Sequence, residues 1–264
     1  MANNTNKPKV ANATKRPNVN KPPDLDTHKI HVTFFKDAYA KTFDDDKDRT
    51  LPELRDLILQ TKGMSKGELP WLKLAYFGQK TDPDKTSGCL RWDGNVTAIS
   101  GIELDYDKEI LSFDEIVSTL KAMKVRALAY TSPSNTEAAP RMRVLLPVSQ
   151  KLAPDTRKKL CARVNGRFGN IFAPESFTLS QSYYYGMAKD NPAPNHRAEI
   201  IDGRMIDLCV DDFTRFENNG YTDASPEELV KHAEADAAKA EERARRLEKV
   251  AEIARSRAKH TPRK

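Results

Sequence analysis

The sequence predicts an α+β protein built around a split βαβ, ferredoxin-like core, and three observations lead there. Segments of alternating polarity and segments of helical spacing succeed one another between residues 95 and 186 in the order β-α-β-β-α-β. An α/β extension precedes that unit, and a long run of strong helix formers follows it. Right-handed crossovers then set both core helices on one face of a four-stranded sheet, with the first and third strands central and the other face open.

Taken in order, "KIHVTFF" (29–35) alternates as a strand and "LPELRDLILQT" (51–61) reads as a short helix, whereas "LPWLKLAYFG" (69–78) is apolar throughout and fits either state. "NVTAISGIELDYD" (95–107) is a strand with Gly101 at a bend. "SFDEIVSTLKAMKV" (112–125) opens on Ser112 and an acidic turn and places Phe113, Ile116, Val117, Leu120 and Met123 on one helical stripe. "RALAYT" (126–131) and "PRMRVLLPV" (140–148) are strands, "APDTRKKLCARVNGRFG" (153–169) is helical, and "FTLSQSYYYG" (177–186) supplies the fourth strand. "AEIIDGRMIDL" (198–208) reads as a hairpin about Asp202-Gly203. The main domain spans 28–215.

The flanks differ in kind. Residues 1–27 form a disordered basic arm: the first 23 carry five basic residues, no acidic ones, and no hydrophobic periodicity. It serves either phosphate attraction or solubility. Residues 225–260 form a long charged helix whose seam, from Val230 through Ala233, Ala237, Ala240, Ala244, Leu247 and Ala251 to Ala254, steps alternately by three and four. That seam is mostly alanine, which suits docking on a partner better than a self-dimer.

Composition narrows the function classes. The chain has 264 residues, 38% of them hydrophobic, a formal charge of +6 and a pI near 9.1, a mild bias toward a polyanionic partner. No apolar run approaches the roughly 18 residues of a membrane span, and no signal-like segment opens the chain, so the expectation is a cytoplasmic protein with no membrane partner. Cys89, Cys161 and Cys209 are too scattered for zinc or a disulfide framework and read as small buried hydrophobes.

The stretch "GIELDYD" (101–107) carries the chemistry. On a strand, Ile102, Leu104 and Tyr106 face the helices, which sends Glu103, Asp105 and Asp107 to the other side, roughly 7 Å apart. Arg141 and Arg143 arrive on the neighbouring central strand with the same two-residue spacing. Either these groups simply pair, at little gain in stability, or the carboxylates clamp divalent cations while the arginines take phosphate. The loop "TSPSNTEAAP" (131–140) adds Ser132, Ser134 and Asn135 beside the arginines, as a phosphate-binding turn or an ordinary polar loop. Upstream, Lys62, Lys66, Lys73 and Arg91 alternate with Trp71, Tyr76, Phe77 and Trp92, a mixture that suits a single-strand groove or, for the aromatics, a core.

The succession "GIELDYD", "YTSPSNT", "PRMRVLLPVS" and "PESFTLSQSYYYG" resembles the archaeo-eukaryotic primase, or primase-polymerase, superfamily, in particular the RRM-like domains carried by plasmids and phages. The resemblance spans about residues 90–190. It implies a nucleotidyltransferase that makes or extends primers on a single-stranded DNA template from NTP or dNTP during DNA replication, with Mg2+ or Mn2+ as cofactor. Asp105 and Asp107 match the family's metal-binding pair and Glu175 its third acidic residue. Ser132, Ser134, Asn135, Arg141, Arg143 and Gln181 fall at nucleotide contacts and Tyr184 at a nucleic-acid contact. Asn135 stands where the family carries a histidine; asparagine can donate a hydrogen bond but carries no charge, so activity is weakened, altered or lost. Relatives often join such a domain to a helicase, for which the C-terminal helix offers an attachment. The competing expectations are a non-catalytic nucleic-acid-binding or replication-initiator module, and a primase-fold subunit inactivated at Asn135.

Overall fold

The computed structural model describes residues 24, 27–37, 39–81, 88–190 and 196–210, with isolated helical positions at Glu234, Glu241, Arg245 and Glu248. The basic arm and the long C-terminal helix therefore lie almost wholly outside the described residues.

In chain order the elements are β1 (Ile30–Phe35), β2 (Asp45–Arg49), α1 (Leu51–Gln60), β3 (Lys62–Gly63), β4 (Trp71–Lys73), β5 (Ala75–Phe77), β6 (Val96–Tyr106), α2 (Phe113–Met123), β7 (Ala127–Thr131), β8 (Met142–Leu152), α3 (Thr156–Arg167), β9 (Tyr183–Tyr184), β10 (Met187–Ala188) and β11 (Ala198–Ile201). This is an α+β chain. Local chemistry starts its first two helices: Thr50 and Glu53 close a capping box on α1, and Ser112 and Glu115 do the same on α2. The helix α2 stops where Lys124 turns left-handed at φ 54°.

The larger sheet has the order β11-β7-β8-β6-β5. Its central pair is β6 and β8, antiparallel, with Asp105 opposite Arg143 and Leu104 opposite Val144. Ile102, Leu104 and Tyr106 of β6 and Met142, Val144 and Leu146 of β8 pack with Phe113, Ile116 and Leu120 of α2 and Leu160 and Val164 of α3. Cys161 and Cys209 sit in that core, and all three cysteines are buried. Gly101 marks a register shift in β6. A Cβ there would meet Leu74 Cδ1 at 2.6 Å and the Leu146 carbonyl at 2.7 Å, so the β6 bend needs glycine.

Three expectations are corrected. The segment 177–186 is no fourth strand of this sheet. The place beside β6 belongs to β5, whereas β9 joins the smaller sheet β2-β1-β4-β9. A 3₁₀ turn, Pro174–Phe177, precedes it, and the backbone closes further turns, Thr178 N–H to the Glu175 carbonyl and Gln181 N–H to the Thr178 carbonyl, rather than a long ladder. Second, 198–208 is no hairpin. The strand β11 pairs with β7, and after Gly203 the chain makes a single parallel bridge, Val125 to Arg204, before another 3₁₀ turn, Ile206–Leu208.

Third, the face opposite the helices is not open. Leu128, Tyr130 and Leu145 point that way and are sealed by Val32 and Phe34 of β1, Leu54 and Ile58 of α1, and Leu72 and Leu74. The ambiguous stretch 69–78 thus becomes two short strands in two sheets, β4 and β5, hinged at the fully buried Leu74. An apolar stretch with no clean period suits a segment buried on both sides. The end of β6 and β8 beyond Glu103 escapes the cover.

Candidate active site

At that uncovered end lies a cleft of about 270 Å³ lined by Lys66, Asp105, Tyr106, Asp107, Ser132, Ser134, Arg141, Arg143 and Glu175. Strand pairing sets Asp105 against Arg143, and the Arg143 Nε donates to Asp105 Oδ1 at 3.0 Å. Arg143 also donates to the Tyr184 carbonyl at 2.6 Å, and its guanidinium lies 5.0 Å from the centre of the Tyr183 ring. Burial works against its charge, but Asp105 and then Tyr130 hold it above the ordinary arginine value. A fixed, fully ionised guanidinium results. Lys66 stands opposite, its ammonium pulled below the usual lysine value by burial and then by Arg143, with Asp105 opposing.

Asp107 is exposed at the strand's end and makes no ion pair or hydrogen bond among the described residues. Beyond it the chain folds back, because the Tyr106 hydroxyl accepts the Ile110 N–H at 2.8 Å and also that of Leu111. This turn puts Glu109 in the left-handed region, φ 59°, and its carboxylate takes the Arg141 guanidinium, with Nε at 2.7 Å and Nη2 on the same oxygen. Glu109 went unnoticed in the sequence, although its alternation with Asp105 and Asp107 was a signal.

The loop 131–141 is closed from inside. Asn135 is 8% exposed and its Oδ1 accepts the Arg141 N–H at 2.8 Å, while Ser132 Oγ accepts the Ser134 N–H at 3.3 Å. Ser132 and Ser134 line the cleft; Asn135 is not among its lining residues and instead braces the loop that presents Arg141. Glu175, on the Pro174–Phe177 turn, is exposed and lines the cleft. Gln181 does not; its Nε2 donates to the Ser182 carbonyl at 3.2 Å.

Of the upstream basic residues, Lys73 corrects the expectation of a nucleic-acid contact. It is fully buried, and its Nζ donates to Glu103 Oε2 at 2.6 Å. The buried Glu103 and its second partner Arg157 enclose the ammonium and leave it no route to solvent. Lys62 is exposed on β3 but outside the cleft. Arg91, Trp71, Tyr184 and Lys66 form a row: the Arg91 guanidinium lies 4.6 Å from the Trp71 ring, Trp71 and Tyr184 are cross-strand partners with centroids 4.3 Å apart, and the Lys66 ammonium is 5.7 Å from the Tyr184 ring. The row ends at the cleft.

The cleft's three carboxylates and three cations cancel formally, so a polyphosphate would enter only with cations of its own. Among the described residues no three His, Cys, Asp or Glu side chains converge to enclose a metal ion. Magnesium, however, is ordinarily held by one or two carboxylates with substrate phosphates and water completing its shell, and the hard oxygens of Asp105 and Asp107 fit that role.

No family model matches the chain, and no curated protein matches it. The AEP domain (PP-N190) of the cyanophage S-2L primase-polymerase (PrimPol), a solved structure, is similar to it at 12% identity and a TM-score of 0.34, over 68% of this chain and 83% of that one. So loose an overlap bears on neither chemistry nor mechanism.

Proposed function

We propose that the chain is a template-dependent nucleotidyltransferase of the primase-polymerase kind, adding NTP or dNTP on single-stranded DNA. One observation carries the reading: Asp105, Asp107 and Glu175 share a single cleft with Arg141, Arg143, Lys66 and the hydroxyls of Ser132 and Ser134. Arg141 and Arg143 would bind phosphate oxygens and the serines would donate to them. Asp105 and Asp107 would hold Mg2+ or Mn2+, which when bound supplies positive charge against the phosphates. The row Lys66, Tyr184, Trp71, Arg91 would carry the strand outward, stacking bases on its rings and meeting phosphates with its cations. A plasmid or phage setting and a helicase docked through the C-terminal helix belong to the same proposal.

A second reading, a nucleotide-binding subunit without catalysis, is favoured by Asp105 being paired with Arg143. Single-stranded templates, labelled nucleotides and Mg2+ separate the two. Incorporation by the wild type, abolished in Asp105→Ala with Asp107→Ala, supports the enzyme; equal incorporation by both sinks it, and nucleotide binding without incorporation selects the subunit.

A further inference from the structure

Beneath the cleft lies a cluster that the proposed chemistry does not use. Glu103, fully buried, binds Lys73 at 2.6 Å and Arg157 of α3 at 2.8 Å. Burial disfavours its charge, yet Lys73 and then Arg157 hold the carboxyl below the usual glutamate value. As structure alone the arrangement is poor value. Two buried cations share one carboxylate, and Arg157 Nε finds no acceptor among the described residues. A methionine or leucine would fill the same volume without these costs.

What Arg157 reaches explains its place. Its Nη1 donates to the Ser176 carbonyl, and its Nη2 donates to both the side chain and the backbone carbonyl of Glu103, the latter at 3.2 Å. Ser176 follows Glu175 in the 3₁₀ turn, and its Oγ accepts the Asp105 N–H at 2.9 Å, while the Ala173 N–H donates to the Asp105 carbonyl at 2.8 Å. Both backbone polar groups of Asp105 are therefore bonded to the segment that carries Glu175. This happens where the β5 pairing has ended and the edge of β6 would otherwise lie bare. Two hydrogen bonds and one guanidinium replace the strand that the sequence led one to expect.

We infer that Arg157, anchored on Glu103, is a positioning residue that fixes the Glu175 turn against Asp105 and so sets the spacing of the site's carboxylates. The inference rests on the proposed nucleotidyltransferase reading for its catalytic consequence but not for the clamp itself.

Two arms test these parts separately. Hydrogen exchange on Arg157→Lys, Arg157→Met and Ser176→Ala should speed the Asp105 and Ala173 amides at least tenfold while the β7 amides stay protected. Unchanged exchange at those two positions in all folded variants would overturn the clamp whatever the activity. In the incorporation assay Arg157→Lys should lower kcat at least tenfold with the nucleotide KM within twofold. Added to Glu175→Gln it should cost nothing further, since the clamp acts through that carboxylate. Multiplicative losses, or full kcat in Arg157→Lys, would reduce Arg157 to a packing residue. A wild type that incorporates nothing defeats the proposed activity and the catalytic consequence together, and leaves the exchange result to judge the clamp.

Discussion

Glu103 of β6 and Asp107, one residue past its end, stand four residues apart, and they live in opposite surroundings. Glu103 has no exposed surface and is enclosed by Lys73, Arg157 and the Leu74 N–H. Asp107 is exposed at the mouth of the cleft. Between them Asp105 is 23% exposed and paired to Arg143. One carboxylate spacing thus serves two ends: under the N-terminal sheet it builds a sealed ionic joint, and two rungs further it offers oxygens to solvent. What covers the strand decides which, not the residue type.

The largest effect should come from breaking the sealed end. Glu103→Ala strands two buried cations and should cost about 3–5 kcal/mol of unfolding free energy, the usual penalty for removing one partner of a buried pair. Denaturant titration measures it. Asp107→Asn should leave that stability unchanged, yet lower nucleotide incorporation by roughly a thousandfold, the several kcal/mol that a phosphate-site ligand commonly supplies. If Asp107→Asn unfolds the protein, or Glu103→Ala leaves its stability intact, the contrast between the two ends is wrong.

A titration sharpens the same contrast. Burial, and then Arg157, pull Lys73 from 10.5 down to about 8. A lowered lysine is charged in the unfolded chain over a range where the folded one is neutral. Between about pH 8 and 10.5 the unfolded state therefore binds more protons, and stability gained from this group rises with pH. Glu103 works at the other limb. Its folded value lies below 4.5, so its contribution is complete above that pH and is lost as pH falls through the folded value. Tyr130, Tyr183 and Tyr185, raised chiefly by burial, pull stability down above pH 10, so the useful quantity is the difference between wild type and Lys73→Met. That difference should slope from pH 8 to 10 and be flat from 6 to 7; a flat difference throughout would show Lys73 charged and settled.

These two ends also show what was legible in the sequence. Alternation separated the helix-facing Ile102, Leu104 and Tyr106 from the carboxylates, because a strand's period of two survives any fold, and the order of elements put Arg141 and Arg143 on the strand beside them. The capped helices α1 and α2 were legible for the same local reason. What alternation cannot carry is the identity of the covering layer. That β1, β4 and α1 close over β7 and β8 depends on contacts more than 50 residues apart in sequence, as between α1 and β7. The buried fate of Lys73 and Glu103 followed from that cover, and so did the misplacement of Lys73 in a nucleic-acid groove. The fourth strand failed differently: "FTLSQSYYYG" has strand residues but turns locally, with the Ser182 Oγ donating to the Ser180 carbonyl, a competition that propensity does not resolve.

The smallest effect lies at the exposed end, where Arg141 and Glu109 meet. Both are more than a third exposed, so their pair should add little to stability, within about 1 kcal/mol. Its influence on binding should be larger. A triphosphate needs the same guanidinium that Glu109 occupies, and Glu109 is held there by the Tyr106 hydroxyl gripping the next two amides. Glu109→Gln should therefore tighten nucleotide binding about three- to tenfold, measured by calorimetry, with no change in unfolding midpoint. Arg141→Ala should weaken binding about tenfold and make the Glu109 substitution silent. If Glu109→Gln instead weakens binding, the carboxylate belongs with Asp105 and Asp107 as a third rung facing the cation, and the open end reaches three residues past the last residue of β6.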